Sequence, residues 1–495
     1  MINIKDELIK YKDYFDNMYK SIDPNILLDD EQRIAILNDC KYNMIIAGAG
    51  CGKTLCIGSK VKFLVDIKKI RPRDIVIISF TNKAVIELKE RINNLFKIDT
   101  KILTFHKLGL TILNDDNYKI LSDFILIIKE YIKINLYCDN KLLKQISNYF
   151  NKYLNIPNYI FLFKSINSYL KLLELFNIKK EINYFDNFIY YLSNILSKLK
   201  TNQINIDYFK SDLIKNFIND LYNYYQNKLK ENNYLDFDDI IEKAYLKLDE
   251  VKLNYKYIIV DEYQDISYQR FKLIKKISEL CDCKVVVVGD DFQTIYSFSG
   301  SDINLFYDFK KMFNPCSVCK ITRTYRNSKE LINIAGLFVM KNELQIKKEL
   351  KSDKCLQNPI SIIYYKNRVK SLNKCLSDIN KNYKTGKILL LGRYNFDIKF
   401  YIGKYFKCEN GKIKSIKYPN LDITFLSVHS SKGLGFDNVI ILNCNDEVYG
   451  FPAKQENTDI LEERRLFYVA LTRTKNKVYI LADINKPSLF LKEIN

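Results

Sequence analysis

The chain of 495 residues has no tryptophan, only two histidines, 8 prolines and 15 glycines. No long Gly/Ser/Pro stretch separates its parts, so its domains are expected to be closely coupled. With so few histidines, Cys281-x-Cys283 and Cys316-x-x-Cys319 have no second ligand cluster to complete a zinc site. Twelve cysteines in so long a chain are no disulfide framework, and they read as mostly buried thiols in a reducing compartment. No run approaches the ~18 apolar residues of a membrane span. Met1–Phe15 alternates charge and lacks a signal peptide's apolar core. The protein is therefore expected to stay inside a cell, off the membrane. Acidic residues are also short: 58 Asp+Glu oppose 78 Lys+Arg, a net charge of +20. That excess points to a polyanionic partner. The bias toward Lys, Asn, Ile and Tyr is also what coding-DNA base composition can produce, so charge alone does not identify nucleic acid.

What is present is a globular composition, 47% hydrophobic and 27% charged, with length for about two to four domains. The most informative stretch is Ala47-Gly48-Ala49-Gly50-Cys51-Gly52-Lys53-Thr54. It follows an apolar run (Tyr42, Met44, Ile45, Ile46) and precedes a helical pattern. A strand, a glycine-rich turn and a helix opening on Lys-Thr make a phosphate cradle. Backbone N–H groups face the anionic oxygens, Lys53 adds charge, and the Thr54 hydroxyl can hold Mg²⁺. Ala47 occupies the place where the strict pattern has glycine.

Apolar β-branched runs recur with helical patterns between them, the signature of parallel sheets with crossover helices. Ile75–Phe80, Tyr257–Val260 and Val285–Val288 join the run before Ala47 in one sheet. Ile360–Tyr364, Ile388–Leu391, Ile423–Val428, Val439–Leu442 and Val478–Leu481 make a second. Between them, about 107 to 233 reads as helical throughout. Ile120, Leu121, Phe124, Ile127, Ile128 and Tyr131 share one face, and Leu213, Phe217, Leu221 and Tyr225 another.

Three further segments carry chemistry. The strand ending in Asp261-Glu262 puts two carboxylates at the sheet edge. Asp261 is suited to holding Mg²⁺ through water, and Glu262 to polarising the water that attacks a γ-phosphate. Gln293 follows another strand as a candidate γ-phosphate sensor, and Phe298 is a loop aromatic available for base stacking. Arg326, and Arg473 at the end of a helix, are candidate arginine fingers from the other half of the chain.

In this order the segments resemble superfamily 1 helicases of the UvrD/Rep type, through nearly the whole chain outside the helical region. Leu28-Asp29-Asp30-Glu31-Gln32 looks like the family's adenine-reading segment, with Gln32 as base ligand. Ser79-Phe80-Thr81-Asn82-Lys83-Ala84 and Thr104-Phe105-His106 are similar to motifs Ia and Ib, which line the single-strand track. Leu235-Asp236-Phe237-Asp238-Asp239 matches the acidic segment after the insertion. Tyr325 matches the tyrosine that stacks on adenine, Arg326 and Arg473 the γ-phosphate arginines. Val428-His429-Ser430-Ser431-Lys432-Gly433-Leu434 resembles motif V, which joins track to cleft. At ordinary pKa both histidines are mostly neutral at pH 7. Three departures stand out. Gly435 replaces a glutamate that reads the ribose, and Ser299 replaces an arginine. Only Phe396 to Asp422 fills the place of a large helical subdomain. The wording is closest to the helicase IV branch.

The resemblance implies an α/β chain of two RecA-like P-loop domains. The first spans 1–107 and 234–312, with a helical insertion at 108–233; the second spans 313–495, with only a short insertion at 396–422. It implies an ATP- and Mg²⁺-dependent helicase or translocase on single-stranded DNA, travelling 3′→5′. Glu262, Lys53, Gln293, Arg326 and Arg473 would be catalytic. ATP would be held by 47–54 with Gln32 and Tyr325, and Mg²⁺ by Thr54 and Asp261. DNA would be gripped by Phe80, Thr81, Asn82, His106, Phe298, His429 and Lys432. The competing reading is a nucleic-acid-stimulated ATPase that displaces bound proteins with little unwinding. Expected partners are single strands, strand junctions and replication, repair or transcription proteins, for a monomer or weak oligomer.

Overall fold

The computed structural model describes residues 4–494 apart from 115–117, 122–124, 136–140, 143–144, 147–148, 151–181, 202–203, 298–299, 384–385 and 455–457. Its first sheet contains β1 (Tyr42–Ala47), β2 (Ile75–Ser79) and β3 (Lys101–Thr104). It is completed by β6 (Tyr257–Val260), β7 (Lys284–Gly289) and β8 (Cys316–Ile321). They lie in the order β3-β2-β6-β7-β1-β8, all parallel. Both faces are covered, which is why these strands read as unbroken apolar runs rather than alternating ones. Met44, Ile78, Val260 and Val287 enter one core, while Ile45, Ile77, Ile259 and Val288 enter the other.

The second sheet is β9 (Ile360–Tyr365), β10 (Lys387–Gly392), β11 (Phe406–Glu409), β12 (Lys412–Ser415), β13 (Asp422–Ser427), β14 (Asn438–Ile441) and β15 (Val478–Asp483). Its order is β11-β12-β13-β10-β14-β15-β9. Five strands are parallel, and the β11–β12 hairpin adds an antiparallel edge. Asn410 and Gly411 turn that hairpin with φ of 49° and 77°, the left-handed geometry an Asn-Gly turn supplies. The hairpin and the short helical turn Asp397–Phe400 lie between β10 and β13.

Two expectations need correction. The boundary at 312/313 assigned Cys316–Ile321 to the second domain, yet β8 pairs with β1 from Tyr42↔Cys316 to Ala47↔Ile321. The chain leaves the first sheet only after Ile321. Ile120 and Leu121 belong to no helix. Lys119–Ile120 (β4) pairs with Tyr234–Leu235 (β5), and Leu121 donates to the Leu235 carbonyl, closing the neck of the insertion. Phe124 lies outside the described residues. Beyond the neck, helices Ile125–Asn135, Ile182–Lys200 and Asp212–Glu231 share their own core around Ile128, Leu192, Phe217 and Leu221. No helix among the described residues is long and apolar enough to cross a membrane.

Candidate functional site

β1 delivers the chain into a turn that only glycine fits. Gly50 and Gly52 have φ of 74° and 78°. A Cβ on Gly50 would lie 2.6 Å from the Arg326 Cβ and from Thr324 Oγ1. The turn opens the helix Lys53–Asp66 and borders a cavity of about 530 Å³. Gly48, Gly50, Cys51, Gly52, Lys53 and Thr54 line it, together with Asp261, Glu262, Gln293, Tyr325, Arg326 and Arg473. Residues from both halves thus meet in one cleft. Ala47 and Ala49 do not line it, because their methyl groups are buried in the cores on either side.

The carboxylates carry unlike electrostatics. Burial, then the neighbouring Glu262, pushes the Asp261 carboxyl up to about 7. Burial would also raise Glu262, but Lys53 and Lys432 outweigh it and hold that carboxyl at about 2. Lys53 Nζ is 4.0 Å from Glu262 Oε1, and Gln264 Nε2 donates to Oε2 at 2.5 Å. Glu262 itself has a φ of 52°, a strained conformation of the kind that persists where a side chain must be aimed. Asp261 and Thr54 line the same cavity, and a carboxyl whose ionised form is disfavoured by burial and by Glu262 suits a divalent cation.

Opposite them sit two guanidinium groups. Arg473 is fully buried, and burial followed by repulsion from Arg326 lowers it to about 9. It donates to Gln293 Oε1 at 3.1 Å and to the Val469 carbonyl at 3.0 Å. Gln293 Nε2 donates in turn to Asp290 Oδ2 at 2.5 Å. Asp290 and Asp291 are both held by the buried Lys348, which the sequence reading missed. Two adjacent acids at a strand end were a signal that a buried cation was needed. Tyr325 is 44% exposed at the cavity, its hydroxyl donating to Asp29 Oδ2 at 2.7 Å.

Gln32, expected to meet the base, sits behind the phosphate turn rather than in the cavity wall. Its carboxamide is wholly buried, accepting from the Asp29 N–H at 3.1 Å and donating to the Cys51 carbonyl at 3.1 Å. It braces the phosphate turn from behind.

A narrower cavity of about 70 Å³ continues from the cleft, lined by Phe80, Thr81, Tyr296 and Lys432. Lys432 was expected among the DNA contacts; its ammonium is bonded instead to Asp265 and to the Gln293 carbonyl at 2.7 Å. Two buried carboxylates, Asp265 and Glu262, draw it inward. His106 packs 4.6 Å from the Phe237 ring, and Arg270, also missed, lies over Phe80 and Phe105. Burial, then nearby cations, pushes both His106 and His429 down to about 4, so both are neutral at pH 7 as expected. The His429 carbonyl accepts from the Tyr296 hydroxyl at 3.1 Å. Thr81 caps the helix Asn82–Lys89, leaving Asn82 exposed at its start. Phe298 lies outside the described residues.

Residues 28–314 match the UvrD/REP helicase N-terminal domain, and 402–483 the UvrD-like helicase C-terminal domain. The chain belongs to the UvrD/Rep helicase family. It is 26% identical to DNA helicase IV of Escherichia coli K12, over 98% of this chain and 72% of that protein. It is 32% identical to a probable DNA helicase II homolog of Mycoplasma capricolum, over 74% of this chain and 49% of the relative. An ATP-dependent DNA helicase Rep of Buchnera aphidicola is 29% identical, over 76% and 53%. The chain spans about half the length of these last two relatives. As in UvrD/Rep helicases generally, the parallel sheets are those of two RecA-like domains.

Proposed function

We propose that this chain is an ATP-driven motor that travels 3′→5′ on single-stranded DNA and separates duplex ahead of it. The observation that carries the reading is one cleft in which Lys53, Thr54, Asp261, Glu262 and Gln293 of the first sheet's loops meet Arg326 and Arg473 from beyond it. Tyr325, open at the cavity, is suited to stack on adenine. Glu262, ionised and aimed into the cleft, would orient the water that attacks the γ-phosphorus as the bond to the β-phosphate oxygen breaks. Thr54 and Asp261 would hold Mg²⁺, which would supply positive charge against the triphosphate. Lys53, Arg326 and Arg473 would draw the lobes together on the triphosphate and release them once inorganic phosphate leaves.

The strand would pass over Phe80, Thr81, Asn82, His106, Phe298 and His429, with Lys432 linking that track to Glu262 from inside. Such a motor would work within the cell on single strands and junctions, as a monomer or weak oligomer beside replication, repair or transcription proteins. Strand displacement on 3′-tailed and 5′-tailed duplexes tests the reading. Unwinding of the 3′-tailed substrate alone, lost in Lys53→Ala, is expected. Turnover of ATP without displacement of either duplex would favour a protein-remodelling ATPase instead.

A further inference from the structure

The chain enters the second lobe and then crosses back over the first. The helix Lys329–Val339 puts Leu331, Ala335 and Phe338 into the second lobe's core, with Leu389 and Leu391 of β10. β9 joins the second sheet at Ile360. Between them, Ile346 packs on the core of one face of the first sheet, and Leu350 on the core of the other. A Cβ on Gly48 would collide with Leu350, so this strap lies directly against the phosphate turn. Backbone bonds fix it there: Lys351 donates to the Thr322 carbonyl at 3.0 Å and accepts from the Thr324 N–H at 2.8 Å. The Ile346 N–H donates to Asp291 Oδ2 at 2.8 Å, and Gln345 Nε2 to the Asp291 carbonyl at 3.2 Å. Lys348 is carried between these anchors into the interior.

A buried ammonium must be paired. Lys348 Nζ meets Asp290 Oδ1 and Asp291 Oδ1, and lies 3.8 Å over the Phe292 ring. The two acids differ. Burial would raise the Asp290 carboxyl, but Lys348 and then Lys53 outweigh it and hold Asp290 below the ordinary carboxylate range. At Asp291 burial prevails over Lys348 and holds the carboxyl above that range. An ionised carboxylate only accepts, and a guanidinium only donates. The Gln293 carboxamide between them therefore has one orientation, Nε2 to Asp290 Oδ2 at 2.5 Å and Oε1 to Arg473 at 3.1 Å. The Asp290 N–H also donates to Gln264 Oε1 at 3.0 Å, and Gln264 Nε2 donates to Glu262. Without Lys348 the buried Asp290 carboxyl would take a proton and could donate as well as accept, leaving Gln293 free to turn.

We infer that Lys348 is a positioning residue for ATP hydrolysis, holding Asp290 so that Gln293 presents its amide oxygen to Arg473 beside the γ-phosphate. The inference rests on the ATPase reading above, with Gln293 at the terminal phosphate. Steady-state turnover with saturating oligo-dT, resolved into kcat and KM for ATP, tests it in four single variants and one double. Lys348→Met and Asp290→Asn should each lower kcat about 10²-fold, the cost of a misplaced group, with KM within about threefold. In Asp290→Asn the carbonyl oxygen faces Lys348 and the amide faces Gln293, which must then turn. Asp291→Asn disturbs the same buried cluster without touching Gln293, so its kcat should stay within about threefold. Lys348→Met added to Gln293→Ala should lower kcat by no more than about threefold further, since Lys348 acts through Gln293. Should Lys348→Met fail to fold, Asp290→Asn, which keeps the Lys348–Asp291 pair, decides alone. Equal losses in Asp290→Asn and Asp291→Asn, or a full additional loss in the double variant, would leave Lys348 a stability role only and overturn the inference. Unaltered kcat in Asp290→Asn, with Gln293→Ala impaired, also overturns the inference alone. A parent without turnover, or unaltered kcat in Gln293→Ala, overturns the reading above and this inference with it.

Discussion

Arg473→Gln should sharply reduce the cleft's preference for triphosphate over diphosphate. Burial and the neighbouring Arg326 lower the Arg473 guanidinium from 12.5 to about 9. That displacement corresponds to a cost on the order of 5 kcal/mol for holding the charge there, burial and the repulsion of Arg326 together. A γ-phosphate arriving beside both guanidinium groups would relieve part of it; recovery of half corresponds to an affinity ratio of roughly 50-fold or more. Titration calorimetry with ADP and a non-hydrolysable ATP analogue measures the ratio. The parent should favour the analogue by roughly 50-fold. In Arg473→Gln the ratio should fall by about 10-fold or more, what remains being the share of Lys53 and Arg326, with ADP affinity within about threefold and turnover reduced by about 10³ or more. A variant that keeps both the preference and the turnover would refute the reasoning, since Arg473 would then sense no terminal phosphate.

Other outcomes follow from buried charge. Lys348→Met leaves Asp290 and Asp291 without their cation in the interior. A loss of about 3–5 kcal/mol in denaturant-measured stability is expected. His106 and His429 titrate near 4 in the fold against about 6.5 unfolded. The unfolded chain therefore takes up protons first as pH falls. Their contribution is complete above pH 6.5 and is lost toward pH 4, so thermal midpoints should drop over that window, and by less in His429→Gln. Thr54→Val and Asp261→Asn should each raise the Mg²⁺ concentration needed for half-maximal turnover, measured at saturating ATP.

The phosphate turn and the central strands were legible because their requirements are local. A cradle needs its glycines, lysine and threonine contiguous, and a strand buried on both faces is a short apolar run. β8 escaped because Cys316–Lys320 is only partly buried or exposed, and nothing local says which sheet it will pair with. β3 begins on an exposed lysine and is only four residues long. The hydrogen-bond partners of the Gln32 and Lys432 side chains were not legible in the sequence motifs. Gln32 meets Asp29 three residues away but also Cys51 19 residues away, and the partners of Lys432 come from 139 and 167 residues away. The distant contacts are set by tertiary packing and electrostatics rather than by motif spacing.

The coupling of hydrolysis to the strand is tested most directly by steady-state ATP turnover of the whole chain, with oligo-dT, with an RNA oligonucleotide of equal length, and with neither. Low basal turnover, raised severalfold by oligo-dT and little by RNA, and absent in Glu262→Gln, is the predicted result. Turnover that ignores oligo-dT, or that persists in Glu262→Gln, would contradict it.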